Sequence, residues 1–151
     1  MTGSSERGVA AVDDLLCFAL YAASRAVTAA YRPLLQELGL TYPQYLVLLA
    51  LWERKSMPVK DLSDALQLDY GTLTPLLKRL EANGLITRRR RVDDERSVQV
   101  DLTAEGAALQ ASAVAVPTAI GAAIGLPDDE VEALRAALRQ LTDNVTTTVA
   151  G

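Results

Sequence analysis

Residues 69–103 constrain the fold more than any other part of this chain. Their first part predicts an amphipathic helix that ends at Asn83 and Gly84, because glycine readily takes the left-handed conformation of a helix C-terminal cap. Two strands are predicted next, over residues 86–92 and 97–102, and the second alternates apolar and polar residues as a half-buried strand does. A helix followed by a charged two-stranded hairpin is typical of the DNA-reading half of a winged helix-turn-helix.

The two faces of this predicted recognition helix differ in chemistry. Four leucines recur on one face, whereas the opposite face is polar and carries two cations. Lys78 and Arg79 could be ordinary solvated residues, but their position opposite the leucines favours contact with a DNA major groove. Pro75 offers a flat apolar surface suited to a thymine methyl group. The helix residues predicted to face DNA are Thr72, Thr74, Pro75, Lys78 and Arg79.

Charge is unevenly distributed along the chain. The net charge of −4 argues at first against a nucleic-acid partner. However, seven of the 15 cations but only four of the 19 acids fall between Leu76 and Val100. This segment therefore has a local charge of +3, and the rest of the chain has a charge of −7. One basic segment in an acidic protein is the pattern of a localised contact with double-stranded DNA. The arginines at 88–91 could be an ordinary solvated strand, but strand alternation directs two of the four to one face, and Arg88 and Arg90 are the pair predicted to meet phosphate.

Composition narrows the class of protein. The chain has 151 residues, half of them hydrophobic, which suits one domain with a sizeable core. No apolar run reaches transmembrane length and the first residues are polar, so we expect a cytoplasmic protein with no membrane partner. A single cysteine excludes an internal disulfide, and the absence of histidine argues against a zinc site. No catalytic set or phosphate-binding loop is evident, so neither an enzyme nor a cofactor is predicted.

The remaining segments predict further helices. A long helix over residues 9–38 should kink or split at Pro33 and close at Gly39, and a second over 41–53 is apolar all round. Met57 and Pro58 predict a turn, followed by a short helix over Val59–Leu66. After the hairpin, a helix over 104–125 is interrupted at Pro117 and Gly121, and a last helix starts at Pro127. The fold class is therefore mainly α with a small β-hairpin wing, and the apolar stripes of the first and last helices predict a homodimer.

The sequence resembles the MarR family of transcription regulators and, within it, the one-cysteine type of the organic hydroperoxide resistance regulators (OhrR). The general match covers roughly residue 15 to the end, and VDDERSVQVDLTAEG is its strongest piece. The narrower match rests on LCFALYAASRAVTAAYRPLLQELGLTYPQYLVLLALWE and on TLTPLLKRLE. The resemblance implies that Asp94 and Arg96 form an ion pair in the wing and that Arg96 enters the minor groove. It further implies one MarR-type chain, with dimerisation helices at 9–40 and 104–151 and a winged helix DNA-binding region at 41–103.

The resemblance also assigns a redox role to Cys17. In the similar proteins a peroxidatic cysteine is hydrogen-bonded across the dimer by two tyrosines, which match Tyr31 and Tyr42, while Tyr21 matches a nearby aromatic residue. This implies a repressor that binds operator DNA when Cys17 is reduced and is released by an organic hydroperoxide, with a low-molecular-weight thiol as the second reactant. From the residues alone, Cys17 could equally be a small buried residue or a thiol one or two turns into a helix, where the positive helix end favours a thiolate.

Two alternatives stay open from the sequence. The first is a thiol peroxidase that turns over at Cys17, although the basic wing speaks against it. The second is a MarR-type regulator released by a non-covalent phenolic or other small molecule bound between its dimerisation and DNA-binding regions. The set formed by Cys17, Tyr31 and Tyr42 favours the redox interpretation over both.

Overall fold

The computed structural model describes residues 11–12, 15–93 and 97–150. The described residues are mainly helical with one small sheet, as predicted. They fall into two compact units, with the boundary between Pro117 and Thr118. The elements in chain order are α1 (Leu16–Gln36), α2 (Tyr42–Arg54), β1 (Ser56–Pro58), α3 (Val59–Leu66), α4 (Tyr70–Ala82), β2 (Ile86–Arg90), β3 (Val98–Leu102), α5 (Ala104–Ser112), α6 (Val116–Ile124) and α7 (Asp128–Ala150).

The first helix begins later than predicted and is not divided. Val12 and Leu15 lie outside α1, and no side chain caps its first turn. The chain stays helical through Pro33, so the predicted separation of the last turn is wrong. A single proline removes only one i to i−4 hydrogen bond of the helix. Just after the helix end, the Leu40 N–H donates to the Leu35 carbonyl at 3.0 Å. Gly39 ends this segment with a φ of +71°, as the sequence indicates.

The second helix lies at the centre of the core. Thr41 caps it in a capping box, in which its hydroxyl accepts from the Gln44 N–H and the Gln44 side chain accepts from the Thr41 N–H. The helix is central to the core as predicted but is not buried on every side, because Leu49 is 40% exposed. The rest of the helix supplies a contiguous buried face: Tyr45, Val47, Leu48, Leu51 and Trp52.

The predicted helix-turn-helix is present as α3 and α4. Gln67 ends α3 in the left-handed conformation, and the Asp69 carboxylate caps α4 by accepting from the Thr72 N–H at 2.8 Å. The leucine face predicted for α4 is buried except at Leu76, which is half-buried. The buried leucines of the two helices are Leu62, Leu73, Leu77 and Leu80.

The wing is part of a three-stranded antiparallel sheet rather than an isolated hairpin. The strand order is β1-β3-β2, with Met57 opposite Val100 and Arg88 opposite Val100 on the other side. The predicted turn at Met57 and Pro58 is therefore wrong, because these residues belong to β1. Met57 is 1% exposed, so burial of its side chain accompanies the pairing of this short edge strand.

The helices after the wing follow the predicted order. The interruption of the predicted helix 104–125 falls at residues 113–115, and α6 then contains both Pro117 and Gly121. In the second unit, α7 carries Asp128, Asp129 and Glu130 in its first turn and has no buried residue. Among the described residues, no single helix is long and apolar enough to span a membrane, and only α5 and α6 taken together across their bend have that length and composition.

Candidate functional site

The polar face of α4 is exposed along most of its length. The leucine side of the helix is in the core, so the opposite side chains stand at the surface. Thr74 is half-buried, whereas the other four helix residues predicted to face DNA are exposed: Thr72, Pro75, Lys78 and Arg79. The arrangement presents two cations and two hydroxyl groups on one helical surface.

A cleft of about 410 Å³ lies between α3, α4 and the sheet. Thr74 and Arg88 line it from α4 and β2, and Lys60 lines it from the first turn of α3. Lys60 is an exposed cation of the helix-turn-helix that was not predicted to face DNA. Its position in the helix that precedes the recognition helix could have indicated it. The other residues lining the cleft are Pro58, Val59, Tyr70, Leu77, Ser97 and Val98.

Arg88, Arg89 and Arg91 of the wing each form an ion pair with an acid of the same chain. Arg88 pairs with Glu81 at 2.8 Å, and hydrogen bonds from Arg88 hold the pKa of Glu81 below its usual range. Arg89 pairs with Asp101 at 2.8 Å and Arg91 with Asp93 at 2.7 Å. Arg90 is exposed at the end of β2. The predicted DNA contacts Asp94 and Arg96 lie outside the described residues.

Asp101 connects the three strands of the sheet. Its carboxylate accepts from the Ser56 hydroxyl on β1 and from the Arg89 guanidinium on β2. Burial raises the pKa of Asp101, but the hydrogen bonds from Ser56 and Arg89 outweigh it and lower the pKa below its usual value. Gln99 adds a hydrogen bond to the Ser56 hydroxyl at 2.8 Å. The base of the wing is therefore tied to β1 by charged and polar contacts.

Cys17 is the second residue of α1 and is exposed. It therefore lies nearer the helix start than the sequence predicts. Tyr21, one turn further on, is 60% exposed, and the Arg25 guanidinium lies 5.6 Å from its ring centroid. These residues share one face of α1, because they are spaced by four positions. Phe18 beside them is also exposed, at 41%.

Tyr31 and Tyr42 come together at the opposite end of α1. Their ring centroids are 4.7 Å apart, and Tyr45 lies 5.8 Å from Tyr31. Burial raises the pKa of Tyr31, and the neighbouring Tyr42 and Tyr45 raise it further. Cys17 is separated from Tyr31 by about 21 Å along the axis of α1, at about 1.5 Å per residue. Within one chain the structure thus brings the two tyrosines together but not the thiol.

A helix-turn-helix followed by a wing defines a winged-helix transcription regulator. Comparison with known proteins agrees: a profile described as transcriptional regulator SarA/Rot matches residues 29–111. The organic hydroperoxide resistance transcriptional regulator of Bacillus subtilis strain 168 is 47% identical over 134 residues, which are 89% of this chain and 91% of that protein. The chain therefore belongs to the MarR family of transcription regulators, in the group of the organic hydroperoxide resistance regulators, and is not an enzyme.

Solved structures of two other regulators are similar to this chain. Reduced AbfR bound to DNA has a TM-score of 0.74 and 38% identity, over 87% of this chain and 91% of that one. AbfR, a protein of Staphylococcus epidermidis, has also been solved with a disulfide formed, with a TM-score of 0.64, 39% identity and coverage of 84% and 89%. BpsR of Bordetella bronchiseptica, whose DNA binding is regulated by 6-hydroxynicotinic acid, has a TM-score of 0.81, 27% identity and coverage of 90% and 99%.

Proposed function

We propose that this chain is a homodimeric, redox-sensing repressor. It binds double-stranded operator DNA when Cys17 is reduced and leaves the DNA when an organic hydroperoxide oxidises that residue. The observation that carries the redox part is the exposed position of the only thiol in the chain, on a face of α1 that it shares with Tyr21. The relation to an organic hydroperoxide regulator supports the same signal.

The DNA-binding part of the proposal rests on the surface around α4. Lys78 and Arg79 stand on the exposed face of the recognition helix, and Lys60 adds a cation beside the cleft at its edge. Lysine and arginine contacts with phosphate supply most sequence-independent affinity for DNA. Thr72, Thr74 and Pro75 then face the bases and Arg90 meets phosphate. The pair of Asp94 and Arg96 makes the minor-groove contact that the family resemblance implies.

The homodimer is supported by apolar side chains that the single chain leaves in solvent. On α1, Leu16 is 64% exposed and Phe18 is 41% exposed, while α7 exposes several apolar residues of its own. Apolar patches of this kind mark protein interfaces. Cys17 and Tyr31 are about 21 Å apart along the helix, so the hydrogen bonds that the family resemblance implies from Tyr31 and Tyr42 would have to come from the partner subunit. The exposed apolar residues of α7 are Leu134, Leu138, Val145 and Val149.

The proposed chemistry needs a peroxide and then a thiol. The Cys17 sulfur, as a thiolate, attacks one peroxide oxygen, the O–O bond breaks, and the products are a sulfenic acid and an alcohol after the alkoxide takes a proton. Two electrons pass from sulfur to the peroxide in this step. A low-molecular-weight thiol then attacks the sulfenic sulfur, releases water and leaves a mixed disulfide on Cys17.

Oxidation is expected to release DNA because the adduct is larger than the thiol. Side chains at a packed helix interface cannot accept added volume without shifting the helices. In a dimer held by α1, such a shift changes the spacing between the two recognition helices. That spacing must match one turn of DNA, about 34–36 Å, for both helices to enter successive major grooves.

A gel shift with wild type and Cys17→Ser tests the proposal. The duplex is selected by the reduced wild-type protein from a random library, and cumene hydroperoxide with a small thiol is the oxidant mixture. Both proteins should retard the duplex before treatment, and only wild type should release it afterwards. Mass spectrometry of the treated wild type should find the thiol adduct on Cys17. Equal release of both proteins would refute the redox part, and failure of reduced wild type to enrich any duplex would refute the whole proposal.

A small-molecule regulator is the second candidate function. A cleft of about 370 Å³ lies between the end of α1 and the start of α2, with Arg32, Thr41 and Tyr42 in its wall. An arginine and hydroxyl groups suit a phenol or an aromatic acid, and the regulation of BpsR by 6-hydroxynicotinic acid is a parallel in a structurally similar protein. Arg32→Ala should abolish release by such a ligand and leave the response to peroxide unchanged, which separates the two candidates.

A further inference from the structure

Glu81 and Arg88 form an ion pair that joins the recognition helix to the wing. Glu81 lies in the last turn of α4, and both of its carboxylate oxygens are used by Arg88 on β2. Oε1 accepts from Arg88 Nε at 3.1 Å and from Nη2 at 2.8 Å, and Oε2 accepts from the Arg88 backbone N–H at 3.2 Å. Glu81 of the recognition helix therefore binds both the side chain and the main chain of Arg88 in the wing strand.

The position of β2 gives the main-chain contact a structural role. β2 is an edge strand, because β3 lies between it and β1. The outward N–H groups of an edge strand have no neighbouring strand to accept their hydrogen bonds. Glu81 accepts the hydrogen bond of one of them and so fixes β2 against the end of α4. The Arg88 side chain is 26% exposed and that of Glu81 is 37% exposed, so both remain partly accessible to solvent.

The same contact determines what Arg88 can do on DNA. Arg88 lines the cleft that Thr74 and Lys60 also line, so its guanidinium lies next to the surface proposed to face DNA. Glu81 holds the Nε and Nη2 edge of the guanidinium, so a phosphate that bound this edge would have to displace the carboxylate, which would then remain unpaired close to the DNA backbone. An unpaired anion beside phosphates is repelled by them. The exchange is therefore unfavourable as long as Glu81 is ionised.

We propose that Glu81 is a positioning residue that anchors the wing strand to the recognition helix and keeps Arg88 off the phosphate backbone. This inference rests on the proposed DNA-binding function. It revises the prediction that Arg88 meets phosphate, because Arg88 belongs to the internal anchor of the wing. Glu81 limits sequence-independent affinity, since it keeps one cation out of the set that releases counterions.

The salt dependence of DNA binding measures this role directly. Each phosphate neutralised on B-DNA contributes about 0.9 to the slope of log K against log salt concentration. We compare wild type, Glu81→Gln, Arg88→Gln and the double variant on a duplex of mixed sequence. Glu81→Gln should steepen the slope by about 0.9, because it frees Arg88 for a phosphate. Arg88→Gln and the double variant should keep the wild-type slope.

Two further variants serve as controls. Glu132→Gln removes an acid of α7 that pairs with Arg135, so it makes the same change in net charge without touching the contact between Glu81 and Arg88 and should leave the slope unchanged. Lys78→Ala should flatten the slope by about 0.9 if the proposed DNA surface is right. Glu81→Ala removes every acceptor atom and covers the case in which glutamine still binds Arg88. Circular dichroism checks that each variant is folded.

The outcomes separate the two proposals. A steeper slope in Glu81→Gln or Glu81→Ala that disappears when Arg88 is also replaced supports the positioning role. If Lys78→Ala flattens the slope but neither Glu81 variant steepens it, or if Arg88→Gln alone flattens it, the positioning role is overturned and the DNA surface stands. If the affinity of wild type for DNA is no higher than that of Lys78→Ala and does not depend on salt, the proposed function itself fails.

Discussion

Gly106 in the first turn of α5 offers the sharpest test of the architecture that supports the wing. A Cβ atom at this position would lie 2.1 Å from the Leu85 carbonyl oxygen and 3.0 Å from Leu102 Cδ2. Leu85 precedes β2 and Leu102 ends β3, so α5 contacts both strands at the base of the wing at this point. We predict that Gly106→Ala destabilises the protein, because the nearest obstacle is backbone that no rotamer change can move.

The magnitude follows from the contacts that must shift. Overpacking of this kind costs about 1–3 kcal/mol, and a backbone atom so close places the value at the upper end. The Gly106 carbonyl accepts from Trp52 Nε1 at 2.8 Å, and weakening this buried hydrogen bond adds about 1 kcal/mol. The better helix propensity of alanine offsets up to about 1 kcal/mol. The net loss is about 3 kcal/mol, or about 6–12 °C in melting temperature for a domain of this size.

Thermal and urea unfolding followed by circular dichroism measure this loss, and Gly121→Ala is the matched control. Gly121 is also a helical glycine, but a Cβ added there meets nothing within 4 Å. The control should melt at the wild-type temperature or slightly above it, because alanine favours the helix by up to about 1 kcal/mol. If Gly106→Ala and Gly121→Ala melt together, the close approach of α5 to Leu85 does not exist in solution and the reasoning is refuted.

Two further predictions concern acid stability and assembly. The hydrogen bond from the Thr72 N–H lowers the pKa of Asp69 below 3.8, so its carboxylate stabilises the fold above that pH and the contribution is lost as the pH falls through the folded value. The free energy of unfolding of wild type, measured in urea, should therefore fall relative to that of Asp69→Asn below pH 3.8. A difference between the two free energies that does not change with pH would contradict this prediction. Sedimentation should find a dimer at micromolar concentration, and Leu134→Glu on α7 should shift it towards monomer. A wild-type monomer would remove the basis for contacts across subunits.

Local sequence signals predicted the recognition helix and its end well. Its leucine spacing reports a single buried face, and Gly84 takes a φ of +79° just after the helix. These features depend on residues within a few positions of each other. The same is true of Thr103, which caps α5 by accepting from the Gly106 N–H at 3.0 Å.

The short strand β1 could not be predicted from its own three residues. Ser56–Pro58 is too short to show a period of two, and a proline in the segment favours a turn by local rules. The strand forms because β3 lies beside it and because Met57 is buried opposite Val100. Pairing over more than forty positions of sequence leaves no signal in the segment itself.

The start of α1 and the placement of Cys17 depended on a weak signal as well. The apolar pattern before Leu16 continues the helical spacing, but the helix begins without a side-chain cap at Leu15. Without a capping residue, nothing in the sequence marks the start of the helix, because the spacing of apolar residues alone extends the predicted helix towards the N-terminus. The tyrosine cluster was anticipated through the family resemblance only. Its members lie on two helices, and the contact between Tyr31 and Tyr42 depends on how α1 packs on α2.

The count of cations in the basic segment overstates how many of them can bind DNA. Seven cations between Leu76 and Val100 predicted a strong electrostatic contact, yet Arg88, Arg89 and Arg91 are paired with acids of the same chain. Sequence shows that Glu81 and Asp101 are present but not that they face these arginines, because the pairs form across elements. A salt slope counts phosphates contacted rather than arginines present. The slope of the wild-type protein should thus be smaller than its basic segment suggests, and it should grow as each paired acid is removed.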